Sequence, residues 1–262
     1  MKTLWASNPG EGRVERAERE RVLPTGDTHL AFRLSGPPLR LHAGDGDLIG
    51  REVGTAVVGG ARSEAYVRSV EEGVAAVGAQ LAPGAALALL GVPAVVLAGC
   101  HTSLADLWGP TAVAWGEALA EVPSLEGRLQ RFEALLVSRL LGEPASGVAA
   151  WAVERLGRGV SVGEVIDASG FSHRHFVSLF RREVGLAPKV HDRVLRFQRA
   201  VAALSSDARA SISAVAHAVG FADQAHLTRE FRALSGMTPG RYRGARARHP
   251  NHVPLVNFVQ DP

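Results

Sequence analysis

One cysteine, Cys100, in 262 residues excludes an intramolecular disulfide and fits a reducing compartment. A long apolar run is also missing. The longest, from Ala85 to Gly99, is broken by Gly91 and Pro93 and is too short to span a bilayer. Residues Met1 to Gly12 carry no apolar core of a signal peptide, so the sequence reads as cytoplasmic. No Ser-His-Asp or paired-carboxylate arrangement can be assigned from spacing. The glycine steps Gly44 to Gly46 and Gly59-Gly60 do not make a phosphate-cradling loop. The chain therefore reads as a non-enzyme, and no cofactor or metal is expected.

What is present is an ordinary globular balance, 46% hydrophobic and 21% charged, long enough for one large or two modest domains. The net charge of +3 hides an asymmetry. Between Trp151 and His249 stand sixteen Arg and Lys against eight Asp and Glu, whereas the rest of the chain is net acidic. A basic half joined to an acidic one suggests that one half meets a polyanion. Charge alone does not separate nucleic acid from a membrane surface.

An internal repeat does. SVGEVIDASGFSHRHFVSLFRREVGLAP (Ser161 to Pro188) is copied as SISAVAHAVGFADQAHLTREFRALSGMTP (Ser211 to Pro239). Ser161/Ser211, Val165/Val215, Ala168/Ala218, Gly170/Gly220 and Phe171/Phe221 match at an offset of fifty. After one inserted residue, Phe180/Phe231, Arg181/Arg232, Gly185/Gly236 and Pro188/Pro239 match again. Gly, Phe and Pro kept in register mark one unit used twice. Each unit reads as helix, tight turn, longer helix. In the first, Ser161 with Glu164 makes a capping box, and Val162, Val165 and Ile166 form an apolar stripe. Gly170 serves the turn, Phe171 is expected as a core plug, and Ser172 caps a helix that buries Phe176, Leu179 and Phe180. In the second, Ile212, Val215 and Val219 lie inside, Gly220 turns the chain, and Asp223 caps a helix burying Leu227, Phe231 and Leu234.

The exposed faces of both second helices are rich in Arg, His, Gln, Ser and Thr and carry few acids, residue types that donate to phosphates and base edges. With GF-ADQAHLTREFRALSGMTPGRYR, the upstream unit, and VHDRVLRFQRAVAAL (Val190 to Leu204) between them, the segment from about Trp151 to Arg243 resembles the AraC/XylS family of transcription regulators. The resemblance implies two recognition helices about 34 Å apart that enter successive major grooves of double-stranded DNA. It places Arg174, Val177 and Ser178 of the first helix, and Gln224, Ala225, Thr228 and Arg229 of the second, against bases. Arg181, Arg182, Arg232, Arg241 and Arg243 read as phosphate contacts or surface charge. Val177 and Ala225 lack side-chain donors, so the second helix is expected to carry much of the hydrogen-bonded readout.

The fold expected is α+β: a β-rich domain over 1–109 for effector binding and dimerisation, a helical connector over 110–147, a DNA-binding domain over 148–249, and a tail over 250–262. Glu20 to Gly36 and the β-branched, Gly-punctuated pieces after it have the grammar of short antiparallel strands. PGAALALLGVPAVVLAG fits either a helix or a buried strand. RVLPTGDTHLAF, PGAALALLGVPA and LADLWG are similar to the cupin-like domain of some AraC-type regulators, although such domains often carry another strand before the position of Trp5. That resemblance implies a small-molecule effector and a homodimer. In the connector, Trp115, Leu119 and Val122 form one apolar stripe, and Leu125, Leu129, Phe132, Leu136 and Leu140 another. The two stripes fit their own domain or a dimer interface. GEPASG (Gly142 to Gly147) is the expected hinge.

Cys100 is expected to be a buried structural cysteine. The neighbours Cys100 and His101 suit one ion poorly. His42, Asp45 and Asp47 read as a solvated turn, and His173 and His175 as surface or DNA-facing groups. The tail after Ala245 reads as a basic extension followed by a segment that packs back or stays free. The rival readings are a DNA-localised enzyme or metal-dependent sensor, an architectural DNA binder, and a regulator set only by its abundance.

Overall fold

The structure, a computed structural model, describes residues 1–8, 18–140, 147–207, 209–245, 247 and 249–255. Nine strands come from the first part of the chain: β1 (Thr3–Ser7), β2 (Arg19–Val22), β3 (His29–Arg33), β4 (Leu39–His42), β5 (Arg51–Gly54), β6 (Ala56–Gly59), β7 (Tyr66–Ser69), β8 (Ala76–Gln80) and β9 (His101–Ser103). A tenth, β10 (His252–Pro254), comes from the far end of the described chain. They form two antiparallel sheets, ordered β1-β8-β3-β6-β9 and β10-β2-β7-β4-β5. The strand expectation holds, and the ambiguous PGAALALLGVPAVVLAG resolves into two short helices, α1 (Ala85–Leu90) and α2 (Ala94–Leu97), split at Gly91 and Pro93.

Alternation along the strands decides which face of the first sheet is covered. Leu30 and Phe32 of β3, Val58 of β6, and Val77 and Ala79 of β8 point to one side. There they meet α1, α2, α3 (Leu104–Trp108), α4 (Pro110–Ala120) and α5 (Leu125–Ser138). The middle of each apolar stripe of α4 and α5 goes into this core: Trp115, Leu119, Phe132 and Leu136 are buried in it. Phe32 sits among Trp108, Trp115 and Phe132. Val137 and Leu140 stay exposed. All but Gly147 of the expected hinge lies outside the described residues.

The remaining helices are α6 (Val148–Gly157), α7 (Val162–Ser169), α8 (His173–Val184), α9 (Pro188–Ser206), α10 (Ile212–Ala218), α11 (Gln224–Ser235) and α12 (Pro239–Gly244). They bury two clusters. One holds Val165, Ile166, Phe176 and Phe180 under α6; the other holds Phe197, Val215, Phe221, Leu227, Phe231 and Tyr242. The second cluster also takes in Leu23 and Val253 from the sheet region. The described part of the tail therefore packs back: β10 pairs with β2 in the register His252↔Val22 to Pro254↔Glu20.

Two expectations fail. Cys100 is exposed. Its backbone is engaged on both sides, by Leu97 O and Gly60 N–H, so the side chain is left turned outward. Phe171 is 37% exposed and leans on the His175 ring instead of plugging a core. Its counterpart Phe221 is 5% exposed because the second unit lies under α9, with Arg196 over one side of the ring and His226 against its edge.

Candidate nucleic-acid interface

Apart from Phe171, each repeat folds as read. Ser161 accepts from Glu164 N–H while the Glu164 carboxylate accepts from Ser161 N–H. Gly170 (φ 72°) ends α7, and Gly220 (φ 84°) occupies the same corner after α10. Side chains rarely adopt this left-handed backbone, which lets α8 and α11 start at a sharp angle to the helix before. Ser172 caps α8 through His175 N–H, and Asp223 caps α11 through His226 N–H. Asp223 is held below the usual carboxylate range, first by that backbone hydrogen bond. Neither helix carries an acid in its first turn, but the Asp223 carboxylate offsets the positive end of α11, so the α8 end, capped by the neutral Ser172, is the one that retains its partial positive charge for an anion.

The faces opposite the buried Phe176–Phe180 and Leu227–Phe231 stripes hold the expected reading residues. Arg174, Ser178, Arg181 and Arg182 are exposed on α8, with Val177 half-buried. Gln224, Ala225, Arg229 and Arg232 are exposed on α11. Thr228 is half-buried and donates its hydroxyl to Gln224 O at 2.8 Å, leaving the oxygen free as an acceptor. Arg241 is exposed, but Arg243 is committed inward, donating to Ala210 O at 2.8 Å. His173 and His175 are exposed at the start of α8. His42 is buried between Asp47 O and Ser69 Oγ, while the Asp47 carboxylate accepts from Ala43, Ile49 and Gly50 N–H and Asp45 pairs with Arg21. Those three residues close a loop.

One feature of the interface has no counterpart in the sequence pattern. The C-terminal end of each exposed helix is held by a backbone N–H from the sheet region: Gly84 N–H reaches Glu183 O at 3.0 Å, and Ala65 N–H reaches Leu234 O at 2.9 Å. These carbonyls have no partner within their own helix. Arg21 adds a bond to Ser235 O at 3.2 Å. On α9, Gln198 donates to Pro24 O at 2.8 Å. A backbone N–H belongs to almost any residue type, so composition could not have pointed to Gly84 or Ala65. The two sets of contacts fix both exposed helices against one body.

Residues 165–245 match the protein family described as "Helix-turn-helix domain". This segment is a helix-turn-helix domain of the AraC/XylS type. The AraC-type domain is also where curated relatives align. A 90-residue stretch is 32% identical to "Probable transcriptional regulator LumQ" of Photobacterium leiognathi, covering 34% of this chain and 36% of that protein. A 94-residue stretch is 34% identical to "Uncharacterized HTH-type transcriptional regulator YbfP" of Bacillus subtilis (strain 168), covering 36% and 31%. The chain thus spans about a third of the length of these relatives. Among solved structures, ToxT from Vibrio cholerae overlaps 92% of this chain and 97% of its own, at 10% identity and a TM-score of 0.45.

Proposed function

We propose that this protein is a cytoplasmic, non-enzymatic transcription regulator that reads double-stranded DNA with α8 and α11 as a homodimer. The observation that carries the reading is the duplicated unit with the outer faces of both second helices exposed, acid-poor and rich in donors. Transcriptional regulation is what the names of the two curated relatives describe. Gln224 and Arg229 supply hydrogen-bonded base readout; Arg181, Arg182, Arg232 and Arg241 supply phosphate contacts; Val177 and Ala225 meet thymine methyl groups. The β-rich region binds a small effector that changes how firmly it holds the two helix ends, a population shift rather than chemistry. No helix among the described residues is long and apolar enough to cross a membrane.

Selection of binding sites from a random DNA pool with the full chain tests this reading. Two short elements about one helical turn apart should be enriched, in paired copies for a dimer. On the selected site, Arg229→Ala should cost about 1–3 kcal/mol and relax preference at one base pair. A single element would reduce the first unit to a backbone clamp. Tight binding without enrichment would make the protein an architectural binder.

A further inference from the structure

The ends of α8 and α11 share one support. Loop 60–65, which joins β6 to β7, touches both of them. Its first residues are locked to the turn that follows α2. Gly60 N–H donates to Cys100 O and Gly99 N–H donates to Ala61 O, each at 2.9 Å. Arg62 adds a bond to Gly99 O at 3.0 Å, and any side chain at Gly60 would collide with Leu97 O. The loop is therefore built into the sheet region rather than hung from it.

Ala61, at its start, meets the end of α8. Gly185 approaches so closely that a Cβ there would sit 3.1 Å from the Ala61 methyl and 3.2 Å from Ala94 O. Beside it, Gly84 N–H holds Glu183 O. At the far end of the loop, Ala65 N–H holds Leu234 O, and Arg21 of β2 donates to Ser235 O. A Cβ at Gly236 would collide with the Arg21 guanidinium, whose charge faces the negative end of α11. Gly185 and Gly236 are equivalent positions of the repeat, so one loop and its neighbours receive the same corner of both units.

Within the DNA-binding half, the two units bury separate clusters and both pack on α9. A single shared helix leaves one unit free to swing about it. Loop 60–65 is a second tie, and the chain from Ala61 to Ala65 reaches at most about 14 Å. Two ties close a frame. The frame leaves the reading faces open, since Arg174, Gln224 and Arg229 are all exposed. Docking on the sheet region thus orients the two helices without covering them.

We propose that loop 60–65, together with Arg21, sets the spacing of the two DNA elements that the protein accepts. Ala65 and Arg21 are positioning residues: they act on DNA through α11. The inference rests on the reading of α8 and α11 as the base-reading helices. One base pair added between two elements moves the second by about 3.4 Å and turns it by about 35° around the DNA axis. Two units joined only by α9 can swing to follow such a shift. A frame closed at both helix ends cannot.

Fluorescence anisotropy of the full chain on duplexes carrying both selected elements tests the proposal. The duplexes keep the selected spacing or differ from it by one base pair in either direction. The wild-type chain should bind the altered spacings at least ten times more weakly. Arg21→Met, and Ala65→Pro, which lacks the donor to Leu234 O, should each reduce that penalty to less than about threefold. Their affinity for a duplex bearing a single element should not change, whereas a damaged fold would weaken every duplex alike. Arg21→Lys keeps a cation at the helix end and should restore the penalty. A wild-type chain indifferent to spacing, or a full penalty in both Arg21→Met and Ala65→Pro, would leave the spacing to α9 and overturn the inference. Tighter binding of those two variants at every spacing would also overturn it, because the contact would then restrain reading. Failure of base reading itself looks different: selection would return one element or none, which overturns both readings.

Discussion

Phe171 and Phe221 hold equivalent places in the two repeats and have opposite surroundings. Phe221 lies inside the cluster around Phe231 and Tyr242, and truncating it strips a packed ring from its cavity. Phe221→Ala should therefore lose about 3–5 kcal/mol in urea unfolding. Phe171→Ala, at a ring already in solvent, should lose less than about 1 kcal/mol. Similar losses at the two sites would mean that Phe171 is covered in solution, for instance by a second copy of the chain. The residue-by-residue match made the two phenylalanines look interchangeable. What differs is what meets each ring, Arg196 of α9 and His226 at Phe221 but His175 at Phe171, and no local pattern reports which side of a repeat another element will shelter.

At the scale of elements, β10 joins two regions that the sequence separates. Val253 enters the cluster of the second helix-turn-helix while its strand extends the sheet of β2. Tyr242 of α12 donates to Pro250 O at 2.9 Å, leading the chain into the strand. A chain ending at Ala247 should keep α7–α8 intact and loosen α9–α12 against the sheets. Hydrogen exchange would show faster exchange in β2 and α10–α12, and little change in α3–α5. Uniform exchange would show that β10 is not part of the clamp. Helix starts and stops were legible here because caps, glycine corners and 3.6-residue periodicity are local. The strands were legible as a class, but their order was not, since pairing β10 with β2 depends on partners far apart in the chain. RERV and YVRS each put polar side chains on both faces, so nothing in those four-residue runs tells which face is the inner one.

The whole molecule carries a proton-linked bias. His191 of α9 is buried where Gly26 of the sheet region and Phe180 of α8 converge, and burial pushes it down to about 4. His101 is lowered further. Both rings stay neutral in the fold, whereas in the unfolded chain they take up protons near the ordinary value of 6.5. Below that value the unfolded state binds protons that the folded state refuses, so acid destabilises. Stability should be flat above pH 7 and fall by roughly 5 kcal/mol toward pH 4.5, about half of it from each ring. Glu20, held at about 2 by His252 and Arg68 against the upward push of burial, adds its loss only from about 4.5 downward. Thermal midpoints across pH should show the first decline reduced in His191→Leu. An unchanged slope in that variant would place the linkage elsewhere.

The pairing of β2 with β10 also sets a schedule. Glu20 and His252, which hold each other across these strands, are 232 residues apart. At the pace of a ribosome that is roughly 10–50 s of synthesis. Throughout that interval the edge of β2 has no neighbour on one side, and an open strand edge is a template for any other extended chain. Neighbouring nascent copies on one messenger would meet while both edges are open. The yield of soluble protein should therefore depend on how quickly synthesis proceeds from the sheets to the segment that closes them.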